Sequence, residues 1–382
     1  MSHNAGREIA VIGGGIGGLT AALAFARMDA RVTVYEQAPA LTEVGAGLQI
    51  TPNAARVLDK LDLSDAIAVS GIRAQAVVPV DGITGKSIAR FDLTTQAPPY
   101  VFCHRAALID LLARACAAQG VDVHLDARVD DFREDGSFQT ADGPVHPDLT
   151  IGADGIRSVV RRQMGTVDEP SFTGQVAWRA VVKQPDAEPI ARIWMLPGRH
   201  VVTYPLLNDR MNIVAVQQRD QWADEGWHRN DDPGNLRGAF ADADLEIRNL
   251  LGEVETTNLW GLFRHPVAAS WHQGSFVLLG DAAHPTLPFL AQGANLAMED
   301  AYVLARCCDD KASLEVALAQ YQTKRRARVV RAINAANKNA VNYHLSGPKR
   351  RVAHAGLRIM GRYAPNTFLR RLSWLYDHDV TG

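Results

Sequence analysis

Near the start of the chain, Gly13-Gly14-Gly15-Ile16-Gly17-Gly18 puts glycine at the three fixed positions of a G-x-G-x-x-G turn, namely Gly13, Gly15 and Gly18. The first glycine permits a tight turn, the second lets a pyrophosphate approach the backbone, and the third lets helix and strand pack closely. Such a turn does this chemistry only between a strand and a helix, whose free N–H groups then face the phosphates. Both neighbours are legible. Glu8 to Ile12 is an apolar run suited to a buried parallel strand, and Leu19, Ala22, Leu23 and Ala26 recur at helical spacing. Arg31 to Tyr35 alternates as a second strand and ends at Glu36, placed to accept from a ribose hydroxyl. The pattern predicts dinucleotide binding.

A second set of residues suits proton chemistry. If residues 200 to 205 form a strand, the four-residue spacing of His200 and Tyr204 puts both side chains on one face. A histidine titrates near neutrality, whereas a tyrosine needs a lowered pKa or a relay role to act as a base. The alternative is that both simply pack or hydrogen-bond within a sheet. His284 has no second ligand spaced to join it in a metal site, Trp222 and Trp227 read as packing or lid residues, and no G-x-S-x-G elbow supports hydrolase chemistry.

The elements that must position these groups alternate in type. Thr51-Pro52 offers an N-cap and a first-turn proline for a helix carrying Ala55, Val57, Leu58 and Leu61. Residues 70 to 100 read as irregular. A helix resumes after His104-Arg105, and Val121 to Leu125 and Leu149 to Ala153 read as strands. From Phe172 to Trp271 the pattern turns β-rich, with strands at Val176 to Val182, Ala191 to Met195, His200 to Pro205 and Met211 to Gln217, and a hairpin turn at Asn208-Asp209. Ser275 to Leu279 is again a buried-strand pattern, followed by a helix from Gly293 to Cys307 and a mostly helical remainder. The expected division is residues 1–171, an inserted β-sheet at 172–271, and 272–382 completing the first domain with C-terminal helices.

Composition limits the classes available. The chain has 382 residues, 47% of them hydrophobic and 21% charged, enough for a sizeable core and against disorder. A net charge of -2 gives no overall reason to expect nucleic acid or an anionic membrane. The four cysteines, Cys103, Cys116, Cys307 and Cys308, form no CxxC pair, so no disulfide framework or zinc site is indicated and a reducing, cytoplasmic setting fits. The uncharged stretch from Ile9 to Ala26 is read as the phosphate-binding turn rather than a signal or membrane segment, because five of its residues are glycine.

Two further motifs make the nucleotide specific. Gly152-Ala153-Asp154-Gly155-Ile156-Arg157-Ser158-Val159-Val160-Arg161 resembles the DG motif, and Gly280-Asp281-Ala282-Ala283-His284-Pro285 the GD motif, of the single-component FAD-dependent aromatic hydroxylases. Tyr35-Glu36-Gln37, Cys103-His104-Arg105, Ala177-Trp178-Arg179 and Ala291-Gln292-Gly293-Ala294-Asn295 are similar to pieces of the salicylate hydroxylase and 6-hydroxynicotinate 3-monooxygenase group. The resemblance covers nearly the whole chain. It implies an α/β fold: a Rossmann-like FAD-binding domain, an inserted β-sheet substrate domain, and the flavin ring at their interface. The cofactor contacts it implies are Gly13, Gly15, Gly17, Gly18, Glu36, Gln37, Gln49, Arg105, Val129, Asp154, Asp281, Pro288, Gly293, Ala294 and Asn295.

Asp281, at the end of a buried strand, can accept from a ribityl hydroxyl, and the helix from Gly293 would aim N–H groups at the flavin edge where reduction places negative charge. Asp154 and Arg157 have two candidate duties, toward FAD and the nicotinamide donor or in an Asx-stabilised turn. No second glycine-rich motif exists for the donor.

The implied reaction uses NADH or NADPH to reduce FAD, and O2 carried as a flavin C4a-hydroperoxide to hydroxylate a small phenolic or N-heteroaromatic acid, with or without loss of its carboxylate. His-x-x-x-Tyr-Pro at residues 200–205 resembles a pocket segment of the salicylate-type enzymes, which makes His200 and Tyr204 the candidate catalytic pair. Gln49 departs from the histidine base of the hydroxynicotinate enzymes and cannot take a proton. The alternatives are a reductase or epoxidase of the same fold acting on a lipid or isoprenoid, and a non-catalytic flavin-binding protein. The expected partners are the aromatic substrate, O2 and NAD(P)H, with neither nucleic acid nor membrane, in a monomer or homodimer.

The near-neutral total hides a segregation. Between Val316 and Tyr376 there are 13 Lys or Arg and no Asp or Glu, and removing those charges from the total of -2 leaves -15 on the remainder. The tract reads as a solvated helical face with interdomain pairing, or as an electropositive region drawing anionic ligands toward the flavin.

Overall fold

The computed structural model describes residues 2–41, 46–165, 170–219 and 230–382. Trp222 and Trp227 lie outside them.

A six-stranded sheet runs His272–Gln273, Phe276–Leu278, Leu149–Gly152, Glu8–Ile12, Arg31–Tyr35, Asp122–His124, parallel except for the edge strand His272–Gln273. Its first strand is central because Ile9, Ala10, Val11 and Ile12 are buried and have no polar alternation to spare for solvent. Ile12 pairs with both Tyr35 and Gly152, and Gly152 pairs with Leu278. The glycine turn, Glu36, Asp154 and the Gly280-Asp281 segment therefore emerge side by side at the carboxyl ends of four adjacent strands, where ligands bind in such sheets. The helices Ile16–Ala26 and Gly293–Asp310 pack together over this sheet.

The second sheet has eight strands in the order Asn230–Asp231, Thr257–Arg264, Ser171–Lys183, Arg210–Gln218, Arg199–Leu206, Ile190–Leu196, Ala76–Asp81, Phe91–Asp92. Asn208 and Asp209 both take positive φ, 62° and 51°, which suits the right-handed twist of the hairpin they close. Two expectations change here. Residues 70 to 100 are not irregular, since they hold strands at Gly71–Arg73, Ala76–Asp81 and Phe91–Asp92. The large sheet also takes two of these strands from before residue 171, so it is built from two chain segments, and the helices Pro233–Ala239 and Leu245–Gly252 lie inside the stretch read as β-rich. The missed strand Ala76–Asp81 is Val-rich, but the turn residues around it dominate a linear reading.

One face of this sheet buries Trp178, Ile213 and Val201 against Leu236, Phe240 and Ile247 of those two helices. The other face contributes Ala177, Tyr204, Val216 and Trp260 to the core shared with the first domain. Between the two sheets a small antiparallel sheet, Gly47–Ile50, Val101–His104 and Gly71–Arg73, carries Gln49 and leads into the helix Arg105–Ala118. The chain ends in the helices Leu314–Tyr343, Gly347–Tyr363 and Pro365–Tyr376. Among the described residues no helix is long and apolar enough to cross a membrane.

Candidate active site

The glycine turn has the geometry its sequence requires. Gly13 has φ +107°, and a Cβ there would stand 2.5 Å from the Ala153 carbonyl oxygen; a Cβ on Gly18 would stand 1.9 Å from that of Gly13. Gly15 differs, because a Cβ there would meet nothing within 4 Å although the residue is half-buried. Glu36 braces the turn: Oε2 accepts from the Gly14 N–H at 2.6 Å and Oε1 from Ala38 N–H at 2.8 Å. Gln37 beside it is exposed and Val129 is buried.

Asp154 takes the turn-stabilising role of its two candidate duties and keeps one oxygen spare. Oδ2 accepts from Val159 N–H at 2.6 Å, the turn-stabilising role, whereas Oδ1 is buried and has no partner among the described residues. Arg157 is exposed. Arg161, quoted in the motif without a role, is buried and donates to the carbonyls of Ala282 at 3.1 Å and Pro266 at 2.8 Å, tying the DG segment to the GD segment. Asp281 combines two properties. Surrounding protein desolvates its carboxyl and pushes it above the usual carboxylate range, with His284 and Arg105 opposing, yet the side chain is solvent-exposed.

Past Asp281 the chain makes a helical turn at Pro288–Leu290 and then Ala291, at φ 53°, takes a left-handed conformation unusual for a residue with a Cβ. Asn295 over-determines this bend by donating to the Ala291 carbonyl at 2.6 Å and the Gln49 carbonyl at 2.9 Å, while its Oδ1 accepts from Thr51 N–H at 2.9 Å. The side chain of Asn295 is thus fully committed to protein, leaving only its backbone for a ligand. Gly293 and Ala294 are half-buried, and a Cβ on Gly293 would meet nothing within 4 Å. Thr51 adopts the N-cap backbone, but its hydroxyl donates to Asn53 Oδ1 at 2.6 Å instead of capping the helix.

A Cβ at either helix N-terminus, Gly15 or Gly293, would meet open space, and the ends of adjacent strands carry exposed Asp281 and the buried, unpartnered oxygen of Asp154. A phosphate-bearing flavin nucleotide fits this cradle: glycines where a Cβ would intrude, N–H groups at two helix starts, and carboxylates for hydroxyl groups.

His200 and Tyr204 share a sheet face as expected, and both are buried. His200 Nδ1 lies 2.7 Å from His344 Nε2, and its ring packs on Phe289 and Tyr343. Burial first, then the neighbouring His344, holds His200 well below the usual imidazole pKa, and burial lowers His344 to about 4. Tyr204 packs on Phe102 with centroids 5.1 Å apart. Burial raises its phenol, against the opposing Arg179 and a hydrogen bond from Gln49. Tyr100 donates to Gln49 Oε1 at 2.5 Å. Neither member of the pair is ionised at neutral pH: His200 is a neutral imidazole and Tyr204 a neutral phenol.

Several residues here carry no linear motif. Tyr100, His344 and Tyr376 reach the site from a loop and two C-terminal helices, and Asn212, paired with Tyr204 across the sheet, accepts from Gly47 N–H at 2.7 Å with its Nδ2 buried and unpartnered among the described residues. Beneath the site, Arg325 contacts Glu299 at 2.6 Å and Asp300 at 2.7 Å, Arg328 contacts Glu299 at 2.7 Å, and His284 contacts Asp300 at 2.5 Å. Burial opposes ionisation of both carboxyls, but the arginines, and for Asp300 also His284, outweigh it and hold them below their usual pKa.

Sheet order, strand-end motifs and the two helix N-termini fit a flavin-nucleotide-binding α/β protein with an attached second sheet. The chain belongs to the FAD-binding-domain family of flavoprotein monooxygenases, whose FAD binding domain matches residues 7–336. It is 34% identical to a 3-amino-4-hydroxybenzoate 2-monooxygenase of Streptomyces cremeus over 97% of this chain and 94% of that protein. It is 33% identical to a 3-hydroxybenzoate 6-hydroxylase of Polaromonas naphthalenivorans over 100% and 98%. A salicylate hydroxylase substrate complex shares the fold, with a TM-score of 0.82 at 24% identity over 98% of this chain and 96% of that one. FAD is the cofactor and the chain is an FAD-dependent monooxygenase.

Proposed function

We propose that this enzyme uses NADH or NADPH and O2 to hydroxylate a small phenolic or N-heteroaromatic acid. FAD would be held through the Gly13–Gly18 turn, Glu36, Arg105, Asp154 and Asp281, with the Pro288–Asn295 segment against its ring; once bound it supplies electron transfer and oxygen activation. The observation that carries the reading is that His200 and Tyr204 share one face of the large sheet, where His200 packs on Phe289 of that segment, with Gln49 of the small sheet beside Tyr204.

These groups suit a phenol. Neutral His200 offers an acceptor for a substrate hydroxyl on the ring nitrogen not engaged by His344. Tyr204 accepts from Gln49 and so keeps its own proton to donate to a substrate oxygen, which stabilises charge developing there as the ring is made electron-rich. The aromatic walls of Phe102, Phe289 and Tyr343 keep water from the reacting face. The proposed division of labour is acceptor for His200 and donor for Tyr204. Gln49, unable to take a proton, serves the second role only.

Purified protein should be yellow, and 3-hydroxybenzoate, salicylate or 3-amino-4-hydroxybenzoate should accelerate NAD(P)H oxidation with matching hydroxylated product. Colourless protein that refuses FAD, or oxidation indifferent to every aromatic acid, would refute the proposal. His200→Ala and Tyr204→Phe should retain FAD but lose stimulated turnover by about tenfold or more.

A further inference from the structure

Arg179 stands within the strand Ser171–Lys183, on the face of the large sheet that turns Ala177 toward the first domain. Pairing fixes its row. Arg179 lies opposite Val214, and Val214 opposite Val202. On one side of this row Tyr204 pairs with Asn212; on the other His200 pairs with Val216, and Val216 with Ala177. Those five residues are buried, whereas Arg179, Val214 and Val202 between them are partly exposed. Val202 and Val214 nonetheless pack against the core shared with the first domain. The row is therefore an accessible line between two covered ones.

The two ends of this line differ in chemistry. Neighbouring strands stand about 4.8 Å apart, so Arg179 and Val202 are separated by about 10 Å along the row. His200 and Tyr204 each lie two residues from Val202 on its own strand, about 7 Å away, and flank that end. The middle is apolar, formed by the two valines. At the other end the Arg179 guanidinium packs over the Trp260 ring, 5.1 Å from its centroid, and the Arg179 carbonyl accepts from Thr257 Oγ1 at 2.9 Å. A planar ring laid on the valines with a hydroxyl between His200 and Tyr204 turns its far edge to Arg179. A guanidinium matches a carboxylate there through two parallel N–H bonds.

We infer that Arg179 determines specificity for the acid group: it receives the substrate carboxylate at the opposite end of the Val214–Val202 row from the hydroxyl. The inference rests on the aromatic-acid reading above and adds to it the direction in which the ring lies. In 3-hydroxybenzoate the two groups diverge across the ring, as the row requires. In salicylate they are adjacent and cannot reach both ends at once.

The test compares 3-hydroxybenzoate, salicylate and the uncharged methyl 3-hydroxybenzoate on FAD-loaded parent, Arg179→Met and Arg179→Lys. Binding is followed by the flavin absorbance change, alongside KM and kcat. The parent should bind 3-hydroxybenzoate about tenfold or more tightly than its methyl ester, and more tightly than salicylate. Arg179→Met should weaken the acid roughly tenfold to a hundredfold, the loss of a charge-assisted contact, and the ester by less than about threefold. FAD content and the KM for NAD(P)H should match the parent. Arg179→Lys should fall between, because lysine keeps the charge and loses the fork. Acid and ester weakened by the same factor, a rise confined to the NAD(P)H KM, or tighter binding of salicylate overturns the inference alone. Should Arg179→Met fail to hold FAD, the parent decides by itself, since equal affinity for acid and ester overturns the inference. A parent that neither binds nor responds to 3-hydroxybenzoate, salicylate or 3-amino-4-hydroxybenzoate overturns the functional reading and the inference with it.

Discussion

The His200–His344 pair makes a quantitative demand on stability. His344 sits at the end of the long helix with its side chain directed at His200, and burial lowers its pKa from 6.5 to about 4. In the unfolded chain it takes a proton as pH falls through 6.5; in the folded chain it does so only near 4, so the unfolded state binds more protons across that window and stability falls with pH. Working the linkage from 6.5 and about 4 gives a loss of about 2 kcal/mol at pH 5 relative to pH 8. His200, also lowered, adds to the loss with the same sign. Spread over 382 residues, 2 kcal/mol corresponds to roughly 2–3 °C in melting temperature. The perturbation is His344→Gln, which keeps a hydrogen-bonding end for His200 but cannot titrate. Urea unfolding of both proteins at pH 8, 6.5 and 5, in equal excess FAD, isolates the term as a difference of differences, cancelling other histidines and carboxylates. The parent should lose about 2 kcal/mol more than the variant between pH 8 and 5. A parent-to-variant gap that stays constant within about 0.5 kcal/mol would show that His344 is protonated in the native state, and the neutral-pair account of the site would fall.

Two other predictions follow from the packing. Gly15→Ala should fold normally yet lose most FAD affinity, since its Cβ meets open space, whereas Gly18→Ala should disrupt the turn itself because its Cβ would stand 1.9 Å from the Gly13 oxygen; flavin absorbance beside circular dichroism separates the two, and equal FAD content in Gly15→Ala and parent would refute the cradle. Arg325→Met strips a buried cation from Glu299 and Asp300 and should cost about 3–5 kcal/mol, or roughly 4–6 °C in a thermal scan. A cost under about 1 kcal/mol would mean that Arg328 and His284 satisfy both carboxylates unaided.

What was legible in the sequence was whatever depends on local spacing. The strand-turn-helix at Gly13–Gly18 and Glu36 at the end of the second strand could be read directly, because conformational demands on glycine and burial patterns are written into neighbouring residues. The shared face of His200 and Tyr204 follows from strand periodicity alone. The strands between residues 71 and 92 were hidden by turn-formers, and membership of Ala76–Asp81 in the large sheet depends on a parallel pairing with Ile190–Leu196 more than a hundred residues away. Tyr100, Tyr376 and His344 were invisible for the same reason: each is an ordinary side chain in its own segment and gains a role only from partners distant in the chain. Glu299 and Arg325 carry no local signal of burial, since nothing in their own segments records that the helix faces they stand on are covered.

The same distinction recasts the charge segregation. A tract with 13 cations and no acid cannot neutralise itself, so any of its arginines that become buried must find carboxylates or carbonyls elsewhere. Arg325 and Arg328 do so on Glu299 and Asp300, and Arg350 on Asp81 at 2.6 Å, the last reaching the large sheet. Arg331 stacks over Trp374 at 3.9 Å. These contacts all pull the C-terminal helices onto the body, and those of Arg328 and Arg331 converge on the turn that delivers Tyr376. Had the tract carried its own acids, local helix pairs would have competed for the same guanidinium groups at little cost. Their absence leaves the acidic body and the last helical carbonyls as the available partners, which is how an unbalanced composition comes to hold the last helix against the body.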